Sequence, residues 1–204
     1  MIERTFSFLQ QYKKQNDGRC NVKFSINLSG VSLGEDGMMN FIENLFIKYQ
    51  PGPGEIGIEI TETAAIQNLS EAVVFMTQLK KYGCQFYLDD FGSGLSSFHY
   101  LKSLPVDFVK IDGIFVCDIE NNPVDLAMVK SINEIAHVMG KQTIGEFVGS
   151  EKISGMLKKI GVDYAQGYYV GKPFDLESLL FDDEMTKKTA ASRVFKEDLG
   201  AEIF

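Results

Sequence analysis

Segments with the hydrophobic periodicity of helices alternate along this chain with short apolar runs typical of strands. Apolar residues recur at helical spacing in segments such as Val73, Met76 and Leu79, and short apolar runs such as 85–88 follow within a few residues. Amphipathic helices that alternate with short buried strands are typical of parallel βα units. The pattern predicts six strands, near residues 22–27, 56–60, 85–89, 106–111, 142–146 and 162–166.

Helix ends are marked by caps as well as by spacing. Gly83, Gly140 and Gly161 each follow an amphipathic segment, where glycine accepts the left-handed conformation of a helix end. Ser70 is a candidate N-cap for the segment after it. These signals predict helices near residues 3–15, 36–49, 69–82, 124–139, 150–160 and 175–180. From residue 182 the sequence is polar and loses strand patterning, which predicts one appended helix or a tail.

Six βα units are two fewer than an eight-stranded barrel contains, and such a barrel typically takes about 250 residues. This chain has 204 residues and its C-terminal strand is present, so we expect the missing part to precede Met1. The predicted fold class is α/β, a (β/α)8 TIM-barrel-like fold that is N-terminally incomplete, over residues 1–181, with 182–204 appended. Because such a barrel exposes sheet edges, we expect the chain to oligomerise, borrow a strand or be poorly stable.

Composition limits the kinds of ligand and metal site that this chain can form. A net charge of −8 argues against a broad grip on DNA or RNA. No apolar run is long enough to cross a membrane, no signal peptide is evident at the N-terminus, and the three cysteines are widely spaced, which predicts a cytoplasmic protein with reduced thiols. The two histidines, His99 and His137, cannot form a three-histidine zinc site, and we interpret both as packing or helix-surface residues. Metal chemistry must then use oxygen ligands, which favours magnesium or manganese.

Polar side chains stand where the predicted strands end. The carboxyl ends of barrel strands converge on one face, where active sites lie. Oxygen donors there would repel one another without cations, and two divalent ions could clamp both oxygens of a phosphoryl displacement. Lys110 would then orient a water or stabilise phosphate charge. Each residue alone is typical of an ordinary strand end, but the joint pattern predicts a site. The donors are Asn27, Glu59, Asp89, Asp112 and Glu146.

The order of the strand-end motifs resembles the signature of the EAL-domain family, bacterial phosphodiesterases that act on cyclic di-GMP. The likeness extends over roughly residues 5 to 180. The motifs that carry it are Asn27-Leu28-Ser29, Glu59-Ile60-Thr61-Glu62, Asp89-Asp90-Phe91-Gly92-Ser93-Gly94, Lys110-Ile111-Asp112, Gln166-Gly167-Tyr168 and Gly171-Lys172-Pro173.

The resemblance implies a barrel that opens cyclic di-GMP to linear pGpG with two magnesium or manganese ions. By motif match, the implied metal ligands are Asn27, Glu59, Asp89, Asp90 and Glu146. The implied catalytic residues are Lys110, which positions the attacking water, Glu146, which is also a candidate for proton transfer, and Gln166. The implied substrate-binding residues are Asp112, Gln166 and Pro173.

The resemblance also implies a mobile loop over residues 90–97 that links the site to a homodimer interface, through Phe91, Gly92, Ser93 and Gly94. Upstream sensor or GGDEF domains are expected in a longer parent protein. Two positions depart from the family pattern. The Glu-Ala-Leu motif and a nearby arginine have no counterpart, and Gly149 stands where the family usually has glutamate.

Three hypotheses follow. The first is a cyclic di-GMP phosphodiesterase domain that is a fragment of a larger signalling protein. The second is a regulatory module that binds cyclic di-GMP or a protein partner without catalysis, which the two departures favour for the isolated chain. The third is an unrelated barrel enzyme with a carboxylate metal site, which would explain the oxygen donors but not their order.

Overall fold

A curled sheet of parallel strands forms the centre of the molecule. The computed structural model describes residues 1–18, 20, 22–94 and 98–180, and the backbone of 192–194. Each parallel strand is hydrogen-bonded to the next one along the chain, so strand order follows sequence order. All six predicted strands are confirmed. They are β1 (Phe24–Asn27), β2 (Ile56–Thr61), β3 (Gln85–Phe91), β4 (Phe108–Ile111), β5 (Gln142–Gly145) and β6 (Tyr164–Gln166).

The register separates an inner face of the sheet from an outer face. Successive residues of a strand point to opposite faces, so every second side chain faces the barrel interior. Inside, Tyr87 stacks on Phe108 with ring centroids 4.5 Å apart, and Ile144 and Tyr164 complete this buried cluster. Alternate residues such as Ile58 pack outward in the main core. The inner cluster forms a floor, and the polar strand ends lie beyond it.

Helices cover the outer face. The long predicted helices and the final helical turn are confirmed, but the four short helices that follow β1, β2, β3 and β4 in the chain are not predicted. Hydroxyls or a carboxylate cap three of these: Ser29 accepts from Ser32 N, Thr61 from Ala64 N and Asp112 from Ile114 N. One turn is too short to show a hydrophobic period. The helices are α1 (Ile2–Gln15), α2 (Gly30–Leu33), α3 (Met38–Tyr49), α4 (Glu62–Gln67), α5 (Leu69–Lys80), α6 (Phe98–Ser103), α7 (Gly113–Val116), α8 (Pro123–Val138), α9 (Glu151–Ile160) and a 3-10 helix at Leu176–Leu180.

The sheet does not close among the described residues. Strand β1 pairs only with β2, and the far edge of β6 carries a short antiparallel strand, β7 (Ser192–Val194). This strand falls where the sequence predicts an appended helix or tail, and at those three residues the helix is wrong. Residues 182–191 and 195–204 lie outside the described residues. The predicted α/β, TIM-barrel-like fold is confirmed, as a half-barrel of six parallel strands.

The two histidines lie outside the strand-end site. His137 Nε2 lies 2.7 Å from Asp163 Oδ2, at the amino end of β6, and His99 packs against the ring of Tyr100. Neither histidine is among the residues that line the strand-end cavity described below. Across the described part of the chain, no helix combines the length and the apolar character that a membrane crossing requires.

Candidate functional site

Lys110 is the centre of the strand-end site. Its Nζ lies 2.8 Å from Glu59 Oε2, 2.7 Å from Asp89 Oδ1 and 2.9 Å from Glu146 Oε1. These carboxylates come from β2, from β3 and from the end of β5, so the parallel sheet gathers them around a lysine of β4. Burial alone would lower the pKa of Lys110, but Glu59, Glu146 and Asp89 together raise it well above its usual value. The side chain is therefore a fixed ammonium that donates hydrogen bonds, not a base.

Glu146 has a second, unusual oxygen. Its Oε2 is buried and has no hydrogen-bond partner among the described residues. Burial raises the pKa of Glu146 to about 7; Lys110 opposes this shift and Asp89 adds to it. A carboxyl group that titrates near neutral pH can accept or release a proton during a reaction. Glu146 is thus the side chain of this site that is suited to proton transfer.

Asp89 and Asp90 face the same site because the strand is irregular between them. In a regular strand, adjacent side chains point to opposite faces. Asp90 has a left-handed backbone, with φ of 54°, and the register of β3 against β4 shifts between Leu88 and Phe91. Such a bulge re-aims a side chain. As a result, ligand atoms of Asp89, Asp90 and Glu146 all lie within 4.8 Å of one another.

This acidic cluster fits a divalent cation. Its atoms are carboxylate oxygens, which suit magnesium or manganese, and one of them, Glu146 Oε2, is buried without a hydrogen bond among the described residues. Burial raises the pKa of Asp90, and the neighbouring Asp89 and Asp112 raise it further. A cation would relieve that repulsion. The cluster can therefore hold a metal ion, and its three members were all predicted as ligands.

Glu59 is linked to the cluster because it shares Lys110 with Asp89 and Glu146, and Asn27 stands next to Glu59 on the neighbouring strand. They are partners in the register of β1 with β2, and Asn27 is exposed at the end of its strand. Glu59 is buried, and its Oε1 accepts a hydrogen bond from Ser25 Oγ. Ser25 carries no motif signal, so sequence reasoning missed it. It stands two residues before Asn27, on the same face of β1, and that spacing is the signal that could have identified it.

A cavity of about 690 Å³ extends from Glu146 across the open side of the half-barrel. Gln166 lines it, and Gln166 Oε1 is buried without a hydrogen-bond partner among the described residues. Two aromatic side chains stand exposed beside it, Phe147 at 67% and Tyr168 at 72%. The cavity thus offers an apolar surface with a few polar atoms, as ligand sites do. Its lining includes Lys23, Phe24, Ser25, Cys117, Glu146, Phe147, Gly149, Gln166, Gly167, Tyr168, Gly171, Lys172, Pro173, Phe174, Leu176 and Leu179.

Two predicted substrate-binding residues differ in placement. Pro173 lines the cavity beside Gln166. Asp112 does not line it; its Oδ1 accepts from Ile114 N at 2.9 Å and caps α7. Asp112 is nevertheless close enough to the acidic cluster to raise the pKa of Asp90. The structure therefore joins Pro173 to the cavity and gives Asp112 a structural contact at the edge of the site.

Glu62 connects the loop after β3 to the site. It belongs to the motif Glu59-Ile60-Thr61-Glu62, but the sequence predicted no role for it. Glu62 is buried, and its Oε2 accepts a hydrogen bond from Gly92 N at 3.1 Å. Phe91 packs on Phe98, and Ser93 Oγ donates to the carbonyl of Asp90 at 2.9 Å. Residues 95–97 of the predicted mobile loop lie outside the described residues. The described part, 91–94, is anchored to both the strand and Glu62.

Gly167 fixes Gln166 at the cavity, and we expect Gly167→Ala to cost about 3 kcal/mol of unfolding free energy. Its φ is 154°, and an added Cβ would overlap the backbone nitrogen and oxygen of Val148. Val148 N in turn donates to the carbonyl of Gln166 at 2.9 Å. Urea unfolding measures the change.

Gly140→Ala is the matched control, because Gly140 has a φ of 73° but nothing within 4 Å of an added Cβ. It should lose only about 1 kcal/mol, the cost of a left-handed backbone. Equal losses for the two variants would mean that the contact with Val148 has no energetic consequence.

Known proteins resemble this chain in sequence and in fold. A family model described as EAL domain matches residues 1–173. The cyclic di-GMP phosphodiesterase PdeB of Shewanella oneidensis is 44% identical over 178 residues, which are 87% of this chain but 20% of that protein. The chain therefore spans about a fifth of the length of this relative.

Two solved structures share the fold. The crystal structure of the EAL domain of Mycobacterium smegmatis DcpA superposes with a TM-score of 0.80 at 31% identity, over 88% of this chain and 80% of that one. The complex of the PaMucR phosphodiesterase with c-di-GMP gives a TM-score of 0.79 at 26% identity, over 87% and 71%. The family match, over residues 1–173, includes all the strands that carry the site.

Proposed function

We propose that this chain, which belongs to the EAL domain family, is the phosphodiesterase module of a longer protein and hydrolyses cyclic di-GMP to linear pGpG. The observation that carries the proposal is the ring of three carboxylates around Lys110, joined to the acidic cluster of Asp89, Asp90 and Glu146. The relatives named as cyclic di-GMP phosphodiesterases support the choice of substrate.

The metal would be magnesium or manganese, with two ions in a complete site. The residues that would hold these ions are Asn27, Glu59, Asp89, Asp90 and Glu146. Bound divalent cations would neutralise phosphodiester charge and stabilise the attacking and leaving oxygens of an in-line displacement.

The chain's own residues have separate tasks in this proposal. The Lys110 ammonium orients the attacking water and faces the developing phosphate charge. Glu146 accepts a proton from that water, because its pKa near 7 leaves a large ionised fraction at neutral pH. Gln166 offers to the same cavity an amide whose buried oxygen has no hydrogen-bond partner in the described part of the chain. The exposed rings of Phe147 and Tyr168 offer stacking surfaces to guanine bases, and Pro173 borders the same cavity.

A binding module without catalysis is the second candidate. It is favoured by Gly149, which places no side chain at a cavity position where the family usually has glutamate, and by the half-barrel that stays open among the described residues. Such a module would hold cyclic di-GMP in the cavity or present it to a protein partner, but it would leave the phosphodiester intact.

The proposal also includes a homodimer interface, further domains and a cytoplasmic location for this module. The loop 91–94 and its contact with Glu62 would connect the site to a homodimer interface. Further domains, such as sensor or GGDEF domains, would belong to the longer protein. We place the module in the cytoplasm, in keeping with three free cysteines at Cys20, Cys84 and Cys117.

The test compares this chain with a form extended before Met1 to the length of a full barrel domain. Each is incubated with cyclic di-GMP and Mg²⁺ or Mn²⁺, and pGpG is measured by chromatography. Turnover by the extended form, lost in Glu59→Gln and kept in the surface control Lys152→Met, supports the phosphodiesterase. Binding by calorimetry without turnover in either form supports the binding module. Neither binding nor turnover would reject both.

A further inference from the structure

We infer that Ser25 is a positioning residue that holds the Glu59 carboxylate for cation binding; this deepens the proposed function and rests on it. Ser25 Oγ donates to Glu59 Oε1, and Lys110 Nζ donates to Glu59 Oε2 at 2.8 Å. The two oxygens of Glu59 are thus held from opposite sides, one by a neutral hydroxyl of β1 and the other by an ammonium of β4.

The sheet register explains why a serine reaches Glu59. The residue directly opposite Ser25 on β2 is Gly57, and Glu59 lies one inward position farther along. A long side chain can reach such a diagonal neighbour. Residue 57 places no side chain between them, because it is a glycine, and the ring of Tyr87 occupies the position that a Cβ would take. Glu59 therefore leans back along the inner face toward the Ser25 hydroxyl.

The two contacts on Glu59 are not equivalent when a cation binds. A cation drawn to Glu59 and Asp89 competes with the positive charge of Lys110, which contacts both carboxylates. The Ser25 hydroxyl carries no charge and does not compete. It keeps Oε1 in place while the contact with Lys110 changes. Hydrogen bonds to ligating carboxylates typically affect metal affinity 10- to 100-fold.

Ser25 also lies at the open side of the molecule. It is half-buried on β1, whose outer edge is unpaired among the described residues, and it lines the cavity. A change at Ser25 is therefore accommodated without repacking the core, so its effect on cation binding can be separated from an effect on folding.

The experiment titrates Mn²⁺ into the metal-free chain by calorimetry and by the loss of the free-ion electron paramagnetic resonance signal. Ser25→Ala should weaken Mn²⁺ binding by about 10-fold, and Ser25→Thr, which keeps the hydroxyl, should restore it. Ser131→Ala is the matched control: the exposed Ser131 hydroxyl donates to the Ala127 carbonyl within α8, so the Mn²⁺ affinity of this variant should equal that of the wild type. In the extended form, Ser25→Ala should raise the metal concentration that gives half-maximal turnover, and Ser25→Thr should restore it.

Unchanged Mn²⁺ affinity in Ser25→Ala overturns the inference, and so does equal weakening in Ser25→Thr. If Ser25→Ala also lowered the melting temperature in chelator enough to account for its lost Mn²⁺ affinity, the inference would be overturned as well, because the role of Ser25 would then be structural. The two proposals separate cleanly. Wild-type Mn²⁺ binding that depends on Ser25, without turnover in the extended form, rejects the phosphodiesterase alone. Turnover with Ser25-independent Mn²⁺ affinity rejects the role of Ser25 alone. Absence of Mn²⁺ binding in both the wild-type chain and the extended form rejects both.

Discussion

Replacing Lys110 by methionine is expected to remove about 3–5 kcal/mol from the free energy of unfolding when divalent cations are absent. Methionine keeps the length of the side chain but not its charge. Three carboxylates, Glu59, Asp89 and Glu146, then face one another with no positive partner in contact among the residues that the structure describes. Because two of the three are buried, water does not replace the ammonium. Urea unfolding in chelator measures the loss, and phosphodiester hydrolysis by the extended form should fall below detection.

Divalent cations should reverse part of this loss. In Lys110→Met, Mn²⁺ is the available positive charge for the three carboxylates, so it should raise the melting temperature more than in the wild type. Lys141→Met is the matched control. Lys141 is also buried, but its Nζ donates to the carbonyls of Leu104 and Val106 and not to carboxylates. Its removal should destabilise the chain without creating a response to Mn²⁺. An equal Mn²⁺ response in both variants would contradict the prediction.

The strand ends explain why much of the site could be predicted from the sequence. In a parallel sheet, carboxyl ends meet at one edge, so a polar residue at the end of each apolar run identifies a neighbour of the others. Lys110, Glu59, Asp89 and Glu146 follow this rule, and the structure brings them into direct contact. The fold was predictable for the same reason, since strand order follows chain order.

The remaining features of the site depend on details of the backbone that the hydrophobic periodicity of the sequence does not show. Asp90 joins Asp89 only because β3 is irregular there, and nothing in the alternation of residues predicts a left-handed aspartate. Glu62 reaches a loop amide thirty residues away. Asp112 looks equivalent to its neighbours in sequence, yet its carboxylate is used to cap α7. Strand-end position therefore predicts which residues share a site, but not which atom each of them offers.

Glu146 should make the stability of the metal-free chain fall as pH rises from about 4.5 to about 7. Burial raises its pKa in the folded chain from the ordinary value of 4.5 to about 7. Below pH 4.5 the group is protonated in both states and contributes no slope. Between the two values the folded chain retains the proton that the unfolded chain has lost, so the unfolded state gains stability as pH rises. The difference reaches about 3 kcal/mol near pH 7 and is constant above it.

Glu146→Gln is neutral in both states and should lack this slope. Urea unfolding in chelator, at intervals from pH 4.5 to 8, gives the difference between variant and wild type, which should shift in favour of the variant by about 3 kcal/mol over this range. Glu151→Gln, which removes an exposed carboxylate on α9, controls for the change in net charge. Parallel pH profiles for the wild type and Glu146→Gln would contradict the prediction. The destabilising ionised carboxylate is also the form that accepts a proton, so the same burial that weakens the fold at neutral pH makes Glu146 a stronger base than an exposed glutamate.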